Sequence, residues 1–173
     1  MYLLHSFFTV LIPIKTMVVT YFSFSFSLAF LSWMVGLVFN SFLKKSDWYS
    51  SKLSHLNFIK KKSVTVLIGL KAFKWVVKNT FFKYLNQKLK LSYKAGIIEL
   101  RELRKEMTFS EISHLIGFVF MSVFVVIKLL DGNFLFAAII MVVNLFMNLY
   151  PSLLQQENKR RIDAFIKRLT HLA

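Results

Sequence analysis

The chain has 173 residues, of which 56% are hydrophobic, and it carries a formal net charge of +15. Apolar residues in this proportion, arranged in unbroken runs, are typical of a membrane protein and exclude an ordinary soluble domain. The positive charge lies between the apolar runs, and no nucleic-acid-binding motif accompanies it, so we expect no nucleic-acid partner. The absence of cysteine excludes disulfides, thiolate metal sites and a cysteine nucleophile.

Residues 1–43 form an N-terminal membrane segment that is apolar apart from His5 and Lys15. Its length is about twice the ~20 residues that one spanning helix needs. Two interpretations follow: a single span near residues 17–42, or a hairpin of two spans that turns near residues 21–27. The serines that interrupt the phenylalanines there favour the hairpin slightly. A cleaved signal peptide is not expected, because a basic n-region and a small-residue cleavage site are missing.

Residues 44–110 form a basic region that we expect on the cytoplasmic side of the membrane. It contains 16 lysines and arginines against 4 acids, a net charge of +12. Within it, residues 64–83 predict an amphipathic helix with Lys71, Lys74 and Lys78 on one face. Such a helix either lies on anionic lipid or packs against the rest of the protein. Membrane lipids are therefore the first expected partner.

Residues 111–156 predict a transmembrane hairpin. Two apolar runs, 112–130 and 134–154, flank Asp131-Gly132-Asn133, whose residue types favour a turn. A basic tail, residues 157–173, follows. Because positive charge collects on the cytoplasmic side, the tail and the C-terminus are expected there, in a multi-pass protein of the cell (inner) membrane. The predicted fold is an all-α integral membrane protein with three or four spans and a basic, partly amphipathic cytoplasmic-side region.

Polar residues mark both helices of this hairpin, at a depth where polar groups are expensive and usually functional. On the second helix they recur at steps of four and three residues, which predicts one polar face: Asn144, Asn148, Pro151, Gln155 and Asn158. Pro151 lacks an N–H and so frees the carbonyl of Met147 as an additional acceptor. The preceding helix carries Glu111 and His114 at i, i+3. We expect His114 to lie near the polar face of the second helix.

A carboxylate beside an imidazole suits a general base, so His114 is the predicted base and Glu111 the residue that orients it. The amides could supply hydrogen bonds to an oxyanion, and Lys159 and Arg161 could bind donor phosphates. Two structural interpretations stand beside this one. Asparagines such as Asn144 and Asn148 often hydrogen-bond across the helices of membrane proteins and serve packing alone. Glu111 and His114 are also compatible with the N-terminal region of a helix, where the helix dipole favours an acid.

At these residues the chain resembles the glycosyl-4,4'-diaponeurosporenoate acyltransferase family. The resemblance covers about residues 65–165 and rests on a glutamate-rich run that ends in histidine, on a weaker match at residues 68–74, and on a second polar stretch. The matching positions are Glu106, Glu111 and His114 in the first part and Asn148, Tyr150, Pro151, Gln155, Asn158 and Arg161 in the second. Phe109 and Gln156 stand where the family usually has arginine, and Lys159 replaces another arginine.

The resemblance implies a bacterial membrane acyltransferase of carotenoid biosynthesis that acylates a hydroxyl of a lipid-soluble, carotenoid-glycoside-like acceptor. It implies no bound cofactor and no metal, only an acyl donor such as acyl-CoA or acyl carrier protein. Catalytic roles fall to His114, Glu111 and Glu106, and substrate binding to Asn148, Tyr150, Gln155, Asn158, Lys159 and Arg161.

Two non-enzymatic interpretations compete with the acyltransferase. The first is a small membrane protein that binds a partner through the polar face of its last span. The second is a transporter, which at this length would have to form oligomers and for which no inverted repeat is apparent. Homo-oligomerisation stays open for each of the three.

Overall fold

A computed structural model of the chain describes residues 2–56, 58, 69–79 and 96–172. Every element in these ranges is helical, which confirms the predicted all-α class. In chain order they are α1 (Tyr2–Leu43), α2 (Asp47–Ser51), a 3₁₀ turn (Leu53–His55), α3 (Leu70–Asn79), α4 (Ile97–Leu130), α5 (Phe134–Asn144), a π turn (Leu145–Leu149) and α6 (Tyr150–Leu172). Three stretches are long and apolar enough to cross a membrane: Ile14–Leu43, Ile97–Leu130 and Phe134–His171.

The N-terminal segment is one continuous helix, so the predicted hairpin with a turn near residues 21–27 is wrong. Its serines do not break the helix, because a serine hydroxyl can donate to a carbonyl of the preceding turn. Ser25 Oγ donates to the carbonyl of Tyr21 at 2.7 Å, and Ser32 Oγ to that of Ala29 at 2.7 Å. The helix α1 therefore contains one candidate span, and the described residues contain three.

The central helix of the bundle is α4, which packs against α1, α5 and α6, while α1 also packs against α5. The helices approach closely where glycine replaces a side chain. A Cβ on Gly36 would lie 2.2 Å from the carbonyl oxygen of Ser113. Small residues permit such close approach in membrane bundles. The apolar core of the half nearer the α4–α5 connection is formed by Leu28, Ala29, Met121, Val125, Ala137, Ile140 and Val143.

The α4–α5 connection has the predicted turn at Asp131-Gly132-Asn133. Gly132 adopts φ 73°, in the left-handed region that favours glycine. The N–H of Asn133 donates to the carbonyl of Lys128 at 2.9 Å, and Lys128 Nζ bonds Asp131 Oδ2 at 2.8 Å. The turn returns the chain antiparallel to α4.

The amphipathic helix predicted at residues 64–83 is described over Leu70–Asn79, as α3; its two ends lie outside the described residues. This helix packs on α6. The ring of Phe73 lies 5.0 Å from that of Tyr150, and Lys74 forms an ion pair with Glu157. Trp75 is 67% exposed on the opposite side. The described part of this helix therefore packs on the hairpin and keeps an aromatic side chain outward.

Between α5 and α6 the helix widens into a π turn, in which the N–H of Tyr150 bonds the carbonyl of Leu145, five residues back. Pro151 follows at once and has no N–H to donate to Met147. The wider turn accommodates one additional residue. Beyond Asn148, the buried polar face is thus displaced by one residue from the predicted one: it consists of Asn144, Asn148, Ser152, Gln156 and Lys159. Pro151, Gln155 and Asn158 are only half-buried.

Candidate functional site

His114 lies on α4 opposite the π turn. Its imidazole interacts with the side chain of Asn148 and with the main chain of Met147. The carbonyl of Met147 is the one that Pro151 leaves without its usual helical donor. The proline and the π turn therefore present a free acceptor to the imidazole. The Nδ1 atom of the ring is buried and has no hydrogen-bond partner among the described residues.

Asn148 joins three helices. Its Nδ2 lies 3.1 Å from Ser32 Oγ, 3.2 Å from Met121 Sδ and 2.9 Å from Asn144 Oδ1. Its Oδ1 approaches α4 where Gly117 has no side chain, since a Cβ there would lie 2.8 Å away. The nitrogen side of this amide thus links helices, as the packing interpretation expects, while the residue also contacts His114.

The neighbour of Asn148, Asn144, is fully buried and donates to the carbonyl of Phe118 at 3.0 Å. It also lies 3.3 Å from the hydroxyl of Ser122. Both partners are on α4. The two asparagines together therefore hold α5, the π turn and α1 against the central helix next to His114.

Glu111 is completely buried, and its carboxylate contacts α6. Lys159 forms an ion pair with it, and Gln156 Nε2 donates to Oε1 at 2.9 Å. The predicted pairing of Glu111 with His114 is therefore not formed. Lys159 also donates to the carbonyl of Ser54 at 3.2 Å, and its side chain is only 4% exposed. The structure places this lysine in the interior, where a carboxylate already neutralises it, and not on the surface where a donor phosphate would bind.

The remaining predicted residues lie around this interior. Gln155 and Asn158 are half-buried and bond each other at 3.3 Å. Tyr150 lies between the rings of Phe73 and Phe146, at 5.0 and 5.6 Å. Two others are exposed on the polar extensions of their helices: Glu106, and Arg161, which bonds Glu157 at 3.2 Å. The structure thus brings His114 and Asn148 together and leaves Glu106 and Arg161 at the surface.

Four interior residues were not predicted: Asn40, Tyr49, Ser152 and Gln156. Asn40 is the one amide of the apolar N-terminal segment, which is a signal the sequence contains. Its Nδ2 donates to the carbonyl of Phe109 at 2.7 Å and to Ser113 Oγ at 2.9 Å. Ser152 and Gln156 follow Asn148 at i+4 and i+8. This spacing also fits one face of a helix and was an alternative to the predicted face with Pro151 and Gln155.

Tyr49 reaches the interior from α2. Ser46 caps this short helix and accepts a bond from the N–H of Tyr49 at 3.2 Å, which fixes the helix start. The ring is 8% exposed, and the hydroxyl faces the side chain of Asn40 and the charge of Glu111. Burial raises the pKa of the Tyr49 hydroxyl above its usual value, and the contact with Asn40 opposes that shift. The phenol therefore stays a neutral O–H donor.

Within the described ranges, no group of three or more histidine, aspartate or glutamate side chains is placed to hold a metal ion. The site is instead built from one imidazole, several amides and hydroxyls, and one buried ion pair. Such a set can accept a proton and can hydrogen-bond neutral hydroxyl or carbonyl oxygens.

A family model described as glycosyl-4,4'-diaponeurosporenoate acyltransferase matches residues 44–168. No curated protein and no solved structure matches the chain. The matched range includes α2 with Tyr49 and the whole polar interior between α4 and α6. Asn40 precedes it.

Proposed function

The chain belongs to the glycosyl-4,4'-diaponeurosporenoate acyltransferase family, and on that premise we propose that it transfers a fatty acyl group to a sugar hydroxyl of a lipid-soluble carotenoid glycoside. The family points to acyl transfer in carotenoid biosynthesis. The three apolar helices point to a membrane protein. An acceptor with a long apolar chain would reach the site from the bilayer, and the acyl product would leave the same way.

The observation that carries the proposal is the environment of His114. Its Nδ1 is buried without a partner among the described residues, while Met147 and Asn148 hold the ring. A general base needs a free lone pair and a fixed orientation. Here a main-chain carbonyl and an amide provide the orientation, in the place of the carboxylate predicted from the sequence.

The reaction proceeds by direct transfer from a thioester donor, such as acyl-CoA or acyl carrier protein. His114 Nδ1 takes the proton of the acceptor hydroxyl as its oxygen attacks the thioester carbonyl and forms the C–O bond. The C–S bond then breaks, and the leaving thiolate takes the proton from the imidazolium. The products are an ester and a thiol, and the histidine returns to its neutral form.

Hydrogen bonds to the oxyanion would come from the half-buried amides of α6. Gln155 is the better placed of these, because its Oε1 accepts from Asn158 and its NH₂ group can turn toward a ligand. Asn148 is less suited to this role, since its Nδ2 already has three acceptors. Arg161 is exposed at the cytoplasmic end of the site and could approach the phosphates of a donor.

We place the protein in the cell membrane with α3, the start of α4 and the C-terminus in the cytoplasm, because these carry most of the positive charge. A single span for α1 then puts the N-terminus on the opposite side. A water-soluble thioester donor would reach Arg161 and Gln155 from the cytoplasm, and the apolar acceptor would reach His114 from the lipid.

The test uses a bacterial host that makes glycosyl-4,4'-diaponeurosporenoate and lacks its own acyltransferase, with pigments identified by mass spectrometry. The intact chain should convert the glycoside to an acyl ester. His114→Ala should lower the rate by about 10²–10⁴ while the protein still accumulates in the membrane. His171→Ala, which changes an exposed histidine near the C-terminus, is the matched control and should keep full activity. Full ester formation by His114→Ala would reject this site and favour a non-catalytic, partner-binding protein.

A further inference from the structure

Six buried polar atoms have no hydrogen-bond partner within the described parts of the chain. They are Asn40 Oδ1, Tyr49 Oη, Glu111 Oε2, His114 Nδ1, Ser152 Oγ and Glu157 Oε2. The two carboxylate oxygens are compensated by charge, since Lys159 pairs with Glu111 and Lys74 with Glu157. The other four atoms are neutral and have no such compensation.

These four atoms surround the stretch of α4 that begins at Glu111. Asn40 bonds Ser113, the neighbour of His114, and Tyr49 faces Asn40 and Glu111. On α6, Ser152 lies one turn after Asn148, which contacts His114, and one turn before Gln156, which contacts Glu111. The unpaired atoms therefore belong to one region, in which α1, α2, α4 and α6 meet.

Leaving a polar group buried and unpaired costs about 1–3 kcal/mol, and native proteins nearly always pair such groups with protein or with a bound molecule. Four of them in one region indicate a ligand. The set includes acceptors, such as Asn40 Oδ1 and His114 Nδ1, and hydroxyls that both donate and accept. A ligand with several hydroxyl groups matches this set, whereas a carboxylate or phosphate would bring a charge next to the buried Glu111.

We propose that Asn40, Tyr49 and Ser152 bind the hydroxyls of the acceptor's sugar and thereby direct one hydroxyl to His114. This assignment rests on the proposed acyl transfer. Tyr49 donates its O–H to a sugar oxygen, Asn40 Oδ1 accepts from a sugar hydroxyl, and Ser152 bonds a neighbouring one. The three residues bind and orient the sugar, and the proton transfer itself belongs to His114.

The decisive variants remove a hydroxyl and little else: Tyr49→Phe and Ser152→Ala. Neither hydroxyl has a hydrogen-bond partner among the described residues, so its removal should leave thermal stability unchanged or raise it. Loss of a hydrogen bond to the sugar should raise KM for the glycoside about tenfold in each variant. Tyr21→Phe and Ser41→Ala are the matched controls. Tyr21 stacks on Phe136, and Ser41 is exposed and bonds within its own helix.

The assay uses the purified full-length chain in lipid nanodiscs, with glycosyl-4,4'-diaponeurosporenoate and, separately, a long-chain alcohol without a sugar. We expect Tyr49→Phe and Ser152→Ala to show the higher KM with the glycoside and unchanged kinetics with the simple alcohol. Equal loss on both acceptors, a fall in thermal stability, or unchanged kinetics would each overturn the assignment. Unchanged kinetics would mean that water alone pairs these groups. The His114→Ala result is independent of this comparison, so failure of the sugar assignment leaves the acyltransferase proposal standing.

Discussion

Gln156 and Lys159, three residues apart on α6, both bind the carboxylate of Glu111 on α4. The contact extends further, because Gln156 Oε1 accepts from the N–H of Phe58 at 2.9 Å and Lys159 donates to the carbonyl of Ser54. The pair thus connects the two helices of the hairpin with the backbone of the segment that follows α2. A buried charge with one partner removed is strongly destabilising.

The first prediction concerns this ion pair. Lys159→Met should lower the free energy of unfolding by about 3–5 kcal/mol, because it leaves the Glu111 carboxylate buried without a cation. The double variant Glu111→Gln, Lys159→Met should recover most of that loss. Thermal unfolding of the purified protein in detergent measures both. A single variant as stable as the unaltered chain would show that the carboxylate is hydrated or neutral and that the pair does not form.

A second prediction concerns Asn148→Leu. Hydropathy alone predicts that leucine at this depth stabilises the membrane-inserted protein. The structure predicts the opposite, because the change removes the donor to Ser32 and Asn144 and places a branched side chain against Gly117. We expect a loss of about 1–3 kcal/mol in stability, together with lost activity. Asn79→Ala, at an exposed asparagine of α3, should change neither. Higher thermal stability in Asn148→Leu would show that the amide makes no useful bonds.

A third prediction concerns the close contact of α1 with α4. Gly36→Ala would place a Cβ 2.2 Å from the carbonyl oxygen of Ser113, so the helices must separate. We expect a loss of about 1–3 kcal/mol, as for other overpacked sites. Gly96→Ala is the matched control, since a Cβ there meets nothing within 4 Å among the described atoms. If both variants unfold at the same temperature, α1 does not pack on α4 at this position.

The fourth prediction concerns topology. The chain has no cysteine, so single introduced cysteines report their own side of the membrane without background. A cysteine at Asn133, in the α4–α5 turn, should react with an impermeant maleimide added to intact cells. A cysteine at the exposed Lys167 should react only after the membrane is opened. The reverse pattern would place the basic C-terminal helix outside and contradict the charge argument.

The sequence predicts the helical class, the hairpin and its turn because these depend on local signals: apolar run length, charge distribution and turn residues. It fails where the outcome depends on contacts between distant residues. The serines of α1 suggested a break between two helices, although serine hydroxyls can bond carbonyls within one helix, as those of Ser25 and Ser32 do. The i, i+3 spacing of Glu111 and His114 suggested a pair, but Lys159 and Gln156 compete for the carboxylate from another helix.

The polar face of the last span shows the same limit in a different way. The position of Pro151 predicted that the carbonyl of Met147 lacks its helical donor, and the main chain of Met147 contacts His114. The same proline lies next to the π turn that moves the buried positions to Ser152, Gln156 and Lys159. Local chemistry was thus predictable from one residue, whereas its effect on the register of the helix was not.

The π turn also determines how related chains should be aligned with this one. Its five residues, Leu145–Leu149, occupy a turn that an α-helix closes with one residue fewer. A relative that lacks one residue here could keep an unbroken α-helix and still present the equivalents of Asn144, Ser152 and Gln156 on the same face. An alignment without a gap in this turn would then pair Gln155 of this chain with the equivalent of Gln156, and conservation would be read from the wrong column.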